Sequence, residues 1–123
     1  MPPVDYSDSF WSSVRNYNGD IDKLTDRVTQ FIEWKEHGKE PYVAFAKDKS
    51  SATNDRGEAF RPYKDNNYRH CNCGFFQNGD PLIVYRLLMD DSIMLVCVTH
   101  HDAMFNPAKR EAFVREHEDQ FPR

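Results

Sequence analysis

The apolar positions near the start of the chain recur at the spacing of an α-helix. Phe10, Val14 and Tyr17 follow one another at intervals of three and four residues, which places them on one face of a first helix. Ser7 is the expected N-cap of this helix, because its hydroxyl can accept a hydrogen bond from a free backbone N–H group. The Asn-Gly pair after Tyr17 predicts where the helix ends.

A second helix is predicted directly after that Asn-Gly pair. Asp20 or Asp22 can cap its first turn, and Gly38 stands where a left-handed C-terminal cap is expected. Two helices joined by so short a connection are expected to pack as an antiparallel hairpin. The apolar stripe of the second helix comprises Ile21, Leu24, Val28, Phe31 and Ile32.

The second half of the chain changes to the alternating pattern of β-strands. Three strands are predicted, over Tyr68–Phe76, Leu82–Met89 and Ile93–Thr99. The turn between the first two contains Asn-Gly, and an Asp-Asp-Ser turn joins the last two, so we expect an antiparallel meander. Asn106-Pro107 then predicts the start of a C-terminal helix, with Asn as its cap.

These elements predict an α+β fold. Two N-terminal helices pack on one face of a small antiparallel sheet, a three-stranded meander, and a C-terminal helix follows the sheet. The almost wholly polar stretch 47–67 is expected to be a long loop. At 123 residues the chain is expected to form a single domain, 1–123.

Strand alternation predicts which polar side chains lie together. If the helices cover the apolar side of each strand, then His70, Asn72, Arg86 and His100 converge on the opposite face. A β-bulge would exchange these faces.

The triplet His100-His101-Asp102 has the most reactive side chains in the sequence. Histidine can exchange a proton near neutral pH, and a neighbouring carboxylate can orient its ring or favour its charged form. The alternative is a polar strand end with no chemical role.

A metal site and a cysteine nucleophile are both disfavoured. Cys71, Cys73, Cys97 and His100 could be imagined as zinc ligands, but the Cys-x-Cys spacing is poor for zinc. All three cysteines fall on the face predicted to be buried with the helices. We therefore expect neither a metal nor any other cofactor.

Composition limits the remaining possibilities. The net charge is −4, whereas a protein that mainly coats nucleic acid is usually basic. Mean hydropathy is −0.81, and no apolar run approaches the ~20 residues of a membrane span. With no secretory signal at the N-terminus and an odd number of cysteines, a reduced, cytoplasmic location without membrane association is expected.

Several segments resemble one family of bacterial proteins. Leu82–Leu88, the acidic turn that follows, Ile93–Thr99 and the terminal helix resemble the RelE-like toxins of type II toxin–antitoxin systems, which share the RelE/ParE-like fold. The stretches Phe31–Pro41 and Phe45–Asp48 are most similar to the YafO-like branch of that family.

This resemblance implies an mRNA endoribonuclease that inhibits translation. Such toxins need no metal, and many cut only mRNA held in the decoding site of the ribosome. The 2′-hydroxyl of the substrate attacks the adjacent phosphate, and the protein supplies an acid, a base and positive charge. The implied partners are a cognate antitoxin, the ribosome and mRNA. The alternative on the same fold is a non-catalytic RNA- or protein-binding module.

The resemblance also assigns catalytic roles to individual residues. His101, or His100 beside it, is expected to act as general acid or base, with Asp102 or Asp80 orienting a histidine. His70 is expected to be a second proton-transfer group or a substrate contact, and Arg86 is expected to hold the phosphate.

A second set of residues is implied to contact RNA. Arg69 lies beside His70 and is expected to form a positive pocket with Arg86 and the histidines. Phe105 follows His101 by four residues, as in the family, and can stack on a base. The other expected RNA contacts are Asn72, Asp80, Arg61 and Lys64.

Overall fold

A five-stranded mixed sheet forms the centre of the protein, in a computed structural model that describes residues 3–54, 56–74 and 79–122. Its strands are β1 (Val4–Tyr6), β2 (Lys49–Ser50), β3 (Tyr68–Asn72), β4 (Leu82–Leu87) and β5 (Ile93–Thr99). They lie side by side in the order β1-β5-β4-β3-β2. The helices are α1 (Phe10–Arg15), α2 (Ile21–His37), α3 (Arg61–Asp65), α4 (His101–Phe105) and α5 (Arg110–Glu116), with 3₁₀ turns at Val43–Lys47 and Glu118–Gln120.

The α+β class is confirmed, but the sheet is larger than predicted. The three predicted strands lie next to one another and antiparallel as β3, β4 and β5. Two short strands extend them, because β1 pairs parallel to β5 and β2 pairs antiparallel to β3. The first strand is shorter than predicted, because β3 ends at Asn72 and residues 73 and 74 are not part of a strand. The rest of the predicted strand, to Phe76, and the turn residues 77–78 lie outside the described residues.

Helices cover both faces of this sheet, so the predicted single covered face is wrong. On one face, α1 and α2 enclose a first core. On the other face, side chains of α3, α4, α5 and the C-terminal segment enclose a second core. The first core includes Phe10, Val14, Leu24, Val28, Phe31, Phe45, Cys71, Ile83, Tyr85, Leu95 and Val98. The second core includes Tyr63, Tyr68, Leu82, Val84, Val96, Cys97, Met104, Phe105, Phe113 and Phe121.

A β-bulge in β5 decides which side chains reach each core. Val84 pairs with Cys97 and Tyr85 pairs with Leu95, so Val96 is an extra residue on β5. An extra residue reverses the direction of every side chain beyond it. Cys97 therefore faces the second core rather than the first, contrary to the simple alternation.

Two of the predicted helix signals are confirmed and one is wrong. Asp20 caps α2 by accepting a hydrogen bond from the Lys23 backbone N–H at 2.9 Å. Gly38 ends the same helix in the left-handed conformation, with φ of 69°. Ser7 does not cap α1; its buried hydroxyl donates to the Val96 carbonyl at 2.8 Å.

The polar stretch 47–67 is not a single loop. It contains β2, a bridge between Thr53 and Ala59, and α3. The C-terminal helix also begins later than predicted, since Asn106-Pro107 forms a turn before α5 in which the Ala108 N–H donates to Asn106 Oδ1 at 2.9 Å. No helix among the described residues is long and apolar enough to cross a membrane.

Candidate active site

Two histidines pack against one phenylalanine. The Phe105 ring centroid is 4.9 Å from that of His70 and 4.6 Å from that of His101. Nδ1 of His70 lies 2.8 Å from the Ser51 hydroxyl. His70 is 3% exposed, whereas His101 is an exposed residue. One imidazole is therefore fixed in the protein interior and the other reaches the surface.

The order of elements along the chain explains this arrangement. Alternation along β3 directs His70 to the second-core face. The chain turns into α4 directly after β5, so His101 occupies the first position of that helix. Phe105 follows one helical turn later, on the same side of α4.

The histidines border two adjoining clefts, of about 270 and 420 Å³. The smaller cleft is lined by Lys49, Ser50, Thr53, Asn54, His70, His101 and Phe105. The larger one is lined by Asn54, Arg56, Glu58, His101, Asp102, Phe105, Asn106 and Pro107. Both include His101 and Phe105, so we treat them together as the histidine cleft.

Two cations at this cleft were not singled out by sequence reasoning. Lys49 is the direct partner of His70 in the β2–β3 pair, so both side chains project from the same face of the sheet. Arg56 lines the larger cleft, in a turn that the Asn54 side chain holds by accepting from the Arg56 and Glu58 N–H groups at 3.0 Å each. In the sequence both cations belong to a mixed-charge polar stretch, so only the pairing of β2 distinguishes Lys49.

His100 does not join this group, so its predicted convergence with His70 is wrong. Its ring lies 5.7 Å from that of Tyr17, between α1 and α2. The bulge at Val96 is the reason, because it reverses the alternation that would direct His100 to the second-core face.

Arg86 also lies away from the histidine cleft, although its strand position is on the predicted face. Its Nε donates to the Asn66 carbonyl at 3.4 Å, and its Nη1 donates to Gln120 Oε1 at 3.1 Å. It lines a separate cleft with Leu88 and Pro122. The sequence could not show that the C-terminal segment returns to bind this guanidinium.

Arg69 points to the first-core face and joins a network of buried charge. Its Nε lies 3.6 Å from Asp48 Oδ1 and donates to the Tyr85 hydroxyl at 3.2 Å. Lys35 Nζ pairs with the same carboxylate at 3.1 Å. The predicted positive pocket of Arg69, Arg86 and the histidines is therefore wrong, because each arginine is bound elsewhere.

Asp102 lies beside His101 but is held by other partners. Asn106 Nδ2 donates to its carboxylate at 2.9 Å, and Lys109 forms an ion pair with it. Hydrogen bonds from Lys109 and Asn106 hold the pKa of Asp102 below its ordinary value. Among the described residues, Asp102 forms no hydrogen bond to a histidine ring, so the expected orientation of a histidine by Asp102 is not seen.

The expected RNA contacts occupy several parts of the surface. Asn72 is half-buried on the same face as His70, two residues further along β3. Asp80 is exposed near Tyr17; burial raises the pKa of Tyr17, and the Asp80 charge raises it further.

Arg61 and Lys64 are exposed on α3, where Arg61 pairs with Asp65 at 3.6 Å. Phe105 is 8% exposed, so in this structure its ring packs on the two imidazoles and the second core.

The cysteines divide between the two cores. Cys71 and Cys73 lie in the first and Cys97 in the second, and all three are buried free thiols. Burial raises the pKa of Cys73 to about 12, which leaves its thiol protonated and unreactive at neutral pH. Within the described ranges, no three His, Cys, Asp or Glu side chains form a group that could hold a metal ion.

Comparison with known proteins gives only distant matches. No family model and no curated protein matches the sequence of this chain. Among solved structures it is similar to the E. coli DinJ–YafQ complex, at 21% identity and a TM-score of 0.49, with 86% of this chain and 100% of that chain covered. A copper-bound mutant toxin from Helicobacter pylori is similar at 17% identity and a TM-score of 0.46, with 85% and 100% covered. Because these scores and identities are low, the likeness is not evidence for an activity of this chain.

Proposed function

We propose that this protein is a toxin of a toxin–antitoxin system that cleaves mRNA on the ribosome without a metal ion. The observation that carries the proposal is the histidine cleft, in which His70 and His101 contact one Phe105 ring. Lys49 lines the smaller part of that cleft and Arg56 the larger part. Leu82–Leu88 and its neighbouring segments resemble RelE-like toxins, most of all the YafO-like branch. This resemblance supports the proposal that the protein is a toxin that acts on mRNA.

The proposed reaction is an internal transfer at one phosphodiester. The substrate 2′-oxygen forms a bond to phosphorus while the bond from phosphorus to the 5′-oxygen breaks. The products are a 2′,3′-cyclic phosphate and a 5′-hydroxyl end. No oxidant, metal or cofactor is needed to balance this step.

His101 is the proton-transfer group in this proposal. It is exposed at the histidine cleft, where an imidazole can take the proton from the 2′-hydroxyl. Water that enters the exposed cleft gives a proton to the leaving 5′-oxygen, and the hydroxide that remains takes the proton held by His101, which returns the imidazole to its neutral form. His70, which is buried, contacts the phosphate rather than exchanging with solvent.

Lys49 and Arg56 supply the positive charge that the phosphate requires. Both are exposed, and each lines a cleft that His101 also lines, Lys49 the smaller one and Arg56 the larger one. A phosphorane carries more negative charge than the starting diester, so fixed cations stabilise the transition state more than the substrate. Arg69 and Arg86 are not assigned this role, because neither lines the histidine cleft.

The net charge of −4 is compatible with this function. Tight binding to free RNA requires many phosphate contacts, and the cleft offers few cations. A nuclease that meets its substrate on the ribosome needs only local contacts at the scissile phosphate. We therefore expect weak cleavage of naked RNA, a cytoplasmic site of action and an antitoxin as the binding partner.

Cell-free translation followed by mapping of mRNA ends tests this proposal. New 5′-hydroxyl ends at defined codon positions, formed only when the message is on ribosomes, are expected. Inhibition of translation with intact mRNA would contradict the nuclease and support a non-catalytic binding module. In cells, expression is expected to arrest growth, and co-expression of an adjacent small gene should relieve that arrest.

A further inference from the structure

An exposed glutamate lines the larger part of the histidine cleft. Glu58 and Asp102 are the two carboxylates among the described residues of this part. Asp102 is neutralised, because Lys109 forms an ion pair with it and Asn106 donates to it. Glu58 accepts a hydrogen bond from Asn54 Nδ2 at 3.3 Å, and in the described part of the chain no Lys, Arg or His side chain forms an ion pair with it. Glu58 therefore brings an uncompensated negative charge to this part of the cleft.

A short hairpin fixes the position of this carboxylate. Thr53 and Ala59 form an antiparallel bridge, and the Asn54 N–H donates to the Glu58 carbonyl at 3.0 Å. Asn54 Oδ1 also accepts from the Glu58 N–H at 3.0 Å, so one asparagine side chain holds both the backbone and the carboxylate of Glu58. A group that is already held in place loses less freedom when a ligand binds. The hairpin therefore provides a preorganised hydrogen-bond acceptor.

The charge of RNA limits what this carboxylate can bind. Phosphates repel it, so in an RNA cleft it is favourable only where the nucleotide donates hydrogen bonds to it. RNA has such donors on the edges of its bases and on its 2′-hydroxyls. Glu58 lines only the larger part of the cleft, whereas His70, which the proposed reaction places at the phosphate, lines only the smaller part. The larger part measures about 420 Å³, within the range of about 300–1,000 Å³ for pockets that bind small molecules, so a base edge is the donor that fits it.

We propose that Glu58 reads the base next to the scissile phosphate and selects guanine. Guanine carries two parallel donors, N1–H and N2–H, which match the two oxygens of one carboxylate. Adenine and cytosine each place a ring-nitrogen acceptor beside their amino group, and uracil places its one N–H between two carbonyls, so each of these bases sets an acceptor against the carboxylate. The position beside a scissile phosphate rests on the proposed nuclease function; the preference of the cleft for guanine does not.

Cleavage of matched messages on ribosomes tests the selection. Two sets of messages vary only the base on the 5′ side or only the base on the 3′ side of one mapped cut, as guanine, adenine, cytosine or uracil. On one of the two sides, the wild type is expected to cut the guanine message about 10- to 100-fold faster than the others, which is the discrimination that one good bidentate contact provides.

Variants of Glu58 connect this preference to the carboxylate. Glu58→Ala should lose the preference for guanine. Glu58→Gln should prefer adenine, because an amide both donates and accepts, as adenine does. Glu40→Gln is the matched control, since it removes an equal charge from an exposed residue outside the cleft, and it should keep the wild-type preference. Cleavage with no guanine preference, or with a preference that Glu58→Ala keeps, would overturn the base-reading role while the nuclease function stands. A loss of about 10²-fold or more on every message in Glu58→Gln would also overturn it, because Glu58 would then be a reacting group.

Nucleotide binding provides a second measurement that does not depend on cleavage. In titrations followed by backbone amide NMR signals, the signal of Glu58 is expected to shift at a lower concentration of guanosine 3′-monophosphate than of adenosine 3′-monophosphate. Glu58→Ala should remove this difference. If the wild type cuts no mRNA but shows the difference, the nuclease function is contradicted and the guanine site stands. Equal shifts with both nucleotides would overturn the guanine site.

Discussion

Replacing Tyr85 with Phe removes one hydroxyl from the charged network that Asp48 forms with Lys35 and Arg69. This hydroxyl donates to the Asp48 carboxylate at 2.7 Å. The same carboxylate, on a side chain only 12% exposed, lies 3.1 Å from Lys35 Nζ and 3.6 Å from Arg69 Nε. Burial raises the pKa of Tyr85, and the Asp48 charge raises it further, so the phenol is protonated and donates at neutral pH.

The size of the effect follows from the partners that Asp48 retains. A hydrogen bond to a charged group contributes about 1.5–3 kcal/mol to the free energy of unfolding. Because Lys35 and Arg69 still neutralise Asp48 in the variant, we expect a loss of about 1.5–2 kcal/mol, near the low end of that range. The Phe ring keeps its contact with Phe31, whose centroid lies 5.1 Å away in the wild type, so no cavity opens.

Urea unfolding measures this loss against a matched control. With a slope of about 1–3 kcal/mol per molar urea, the midpoint should fall by about 0.5–2 M at unchanged slope. In Tyr68→Phe the lost partner is the neutral Gln120 carbonyl, at 2.9 Å, so a smaller loss of about 0.5–1.5 kcal/mol is expected. If Tyr85→Phe cost no more than Tyr68→Phe, the reasoning about the charged network would be refuted.

Two further predictions concern charge and pH. Lys49→Ala is expected to slow cleavage of ribosome-bound mRNA about tenfold or more, and Lys49→Arg should recover part of the rate. Equal cleavage rates for Lys49→Ala and the wild type would exclude Lys49 from phosphate binding. Burial lowers the pKa of His117, an effect that Glu116 and Asp119 partly offset, so the unfolded chain binds a proton at higher pH than the folded one. The free energy of unfolding should therefore fall as the pH drops below about 6.5. Urea titrations at a series of pH values should show a shallower fall for His117→Asn. An unchanged fall would mean that His117 is not the group responsible.

Features set by neighbouring residues were predictable from the sequence. The Asp20 cap and the left-handed Gly38 depend only on the residues within one helical turn, and both are confirmed. The three long strands were found because each has enough residues to show an alternating pattern. In contrast, β1 and β2 have three and two residues, too few to carry any pattern.

Features that depend on distant pairing were not predictable. One extra residue, Val96, reverses the end of β5 and separates His100 from His70. The second core includes aromatic residues from the polar stretch and the chain end, such as Tyr63 and Phe121, which carry no periodic signal. The place of Lys49 beside His70 likewise required the register of β2 against β3.

In the proposed mechanism His101, and not the adjacent His100, transfers the proton. Cleavage of ribosome-bound mRNA by His101→Gln and His100→Gln, compared at equal concentration of folded protein, distinguishes the two histidines. We expect a loss of about 10²–10⁴-fold in His101→Gln, as for removal of a general base, and a rate within about twofold of wild type in His100→Gln. A large loss in His100→Gln with an active His101→Gln would show instead that the reacting group lies on the other face of the sheet.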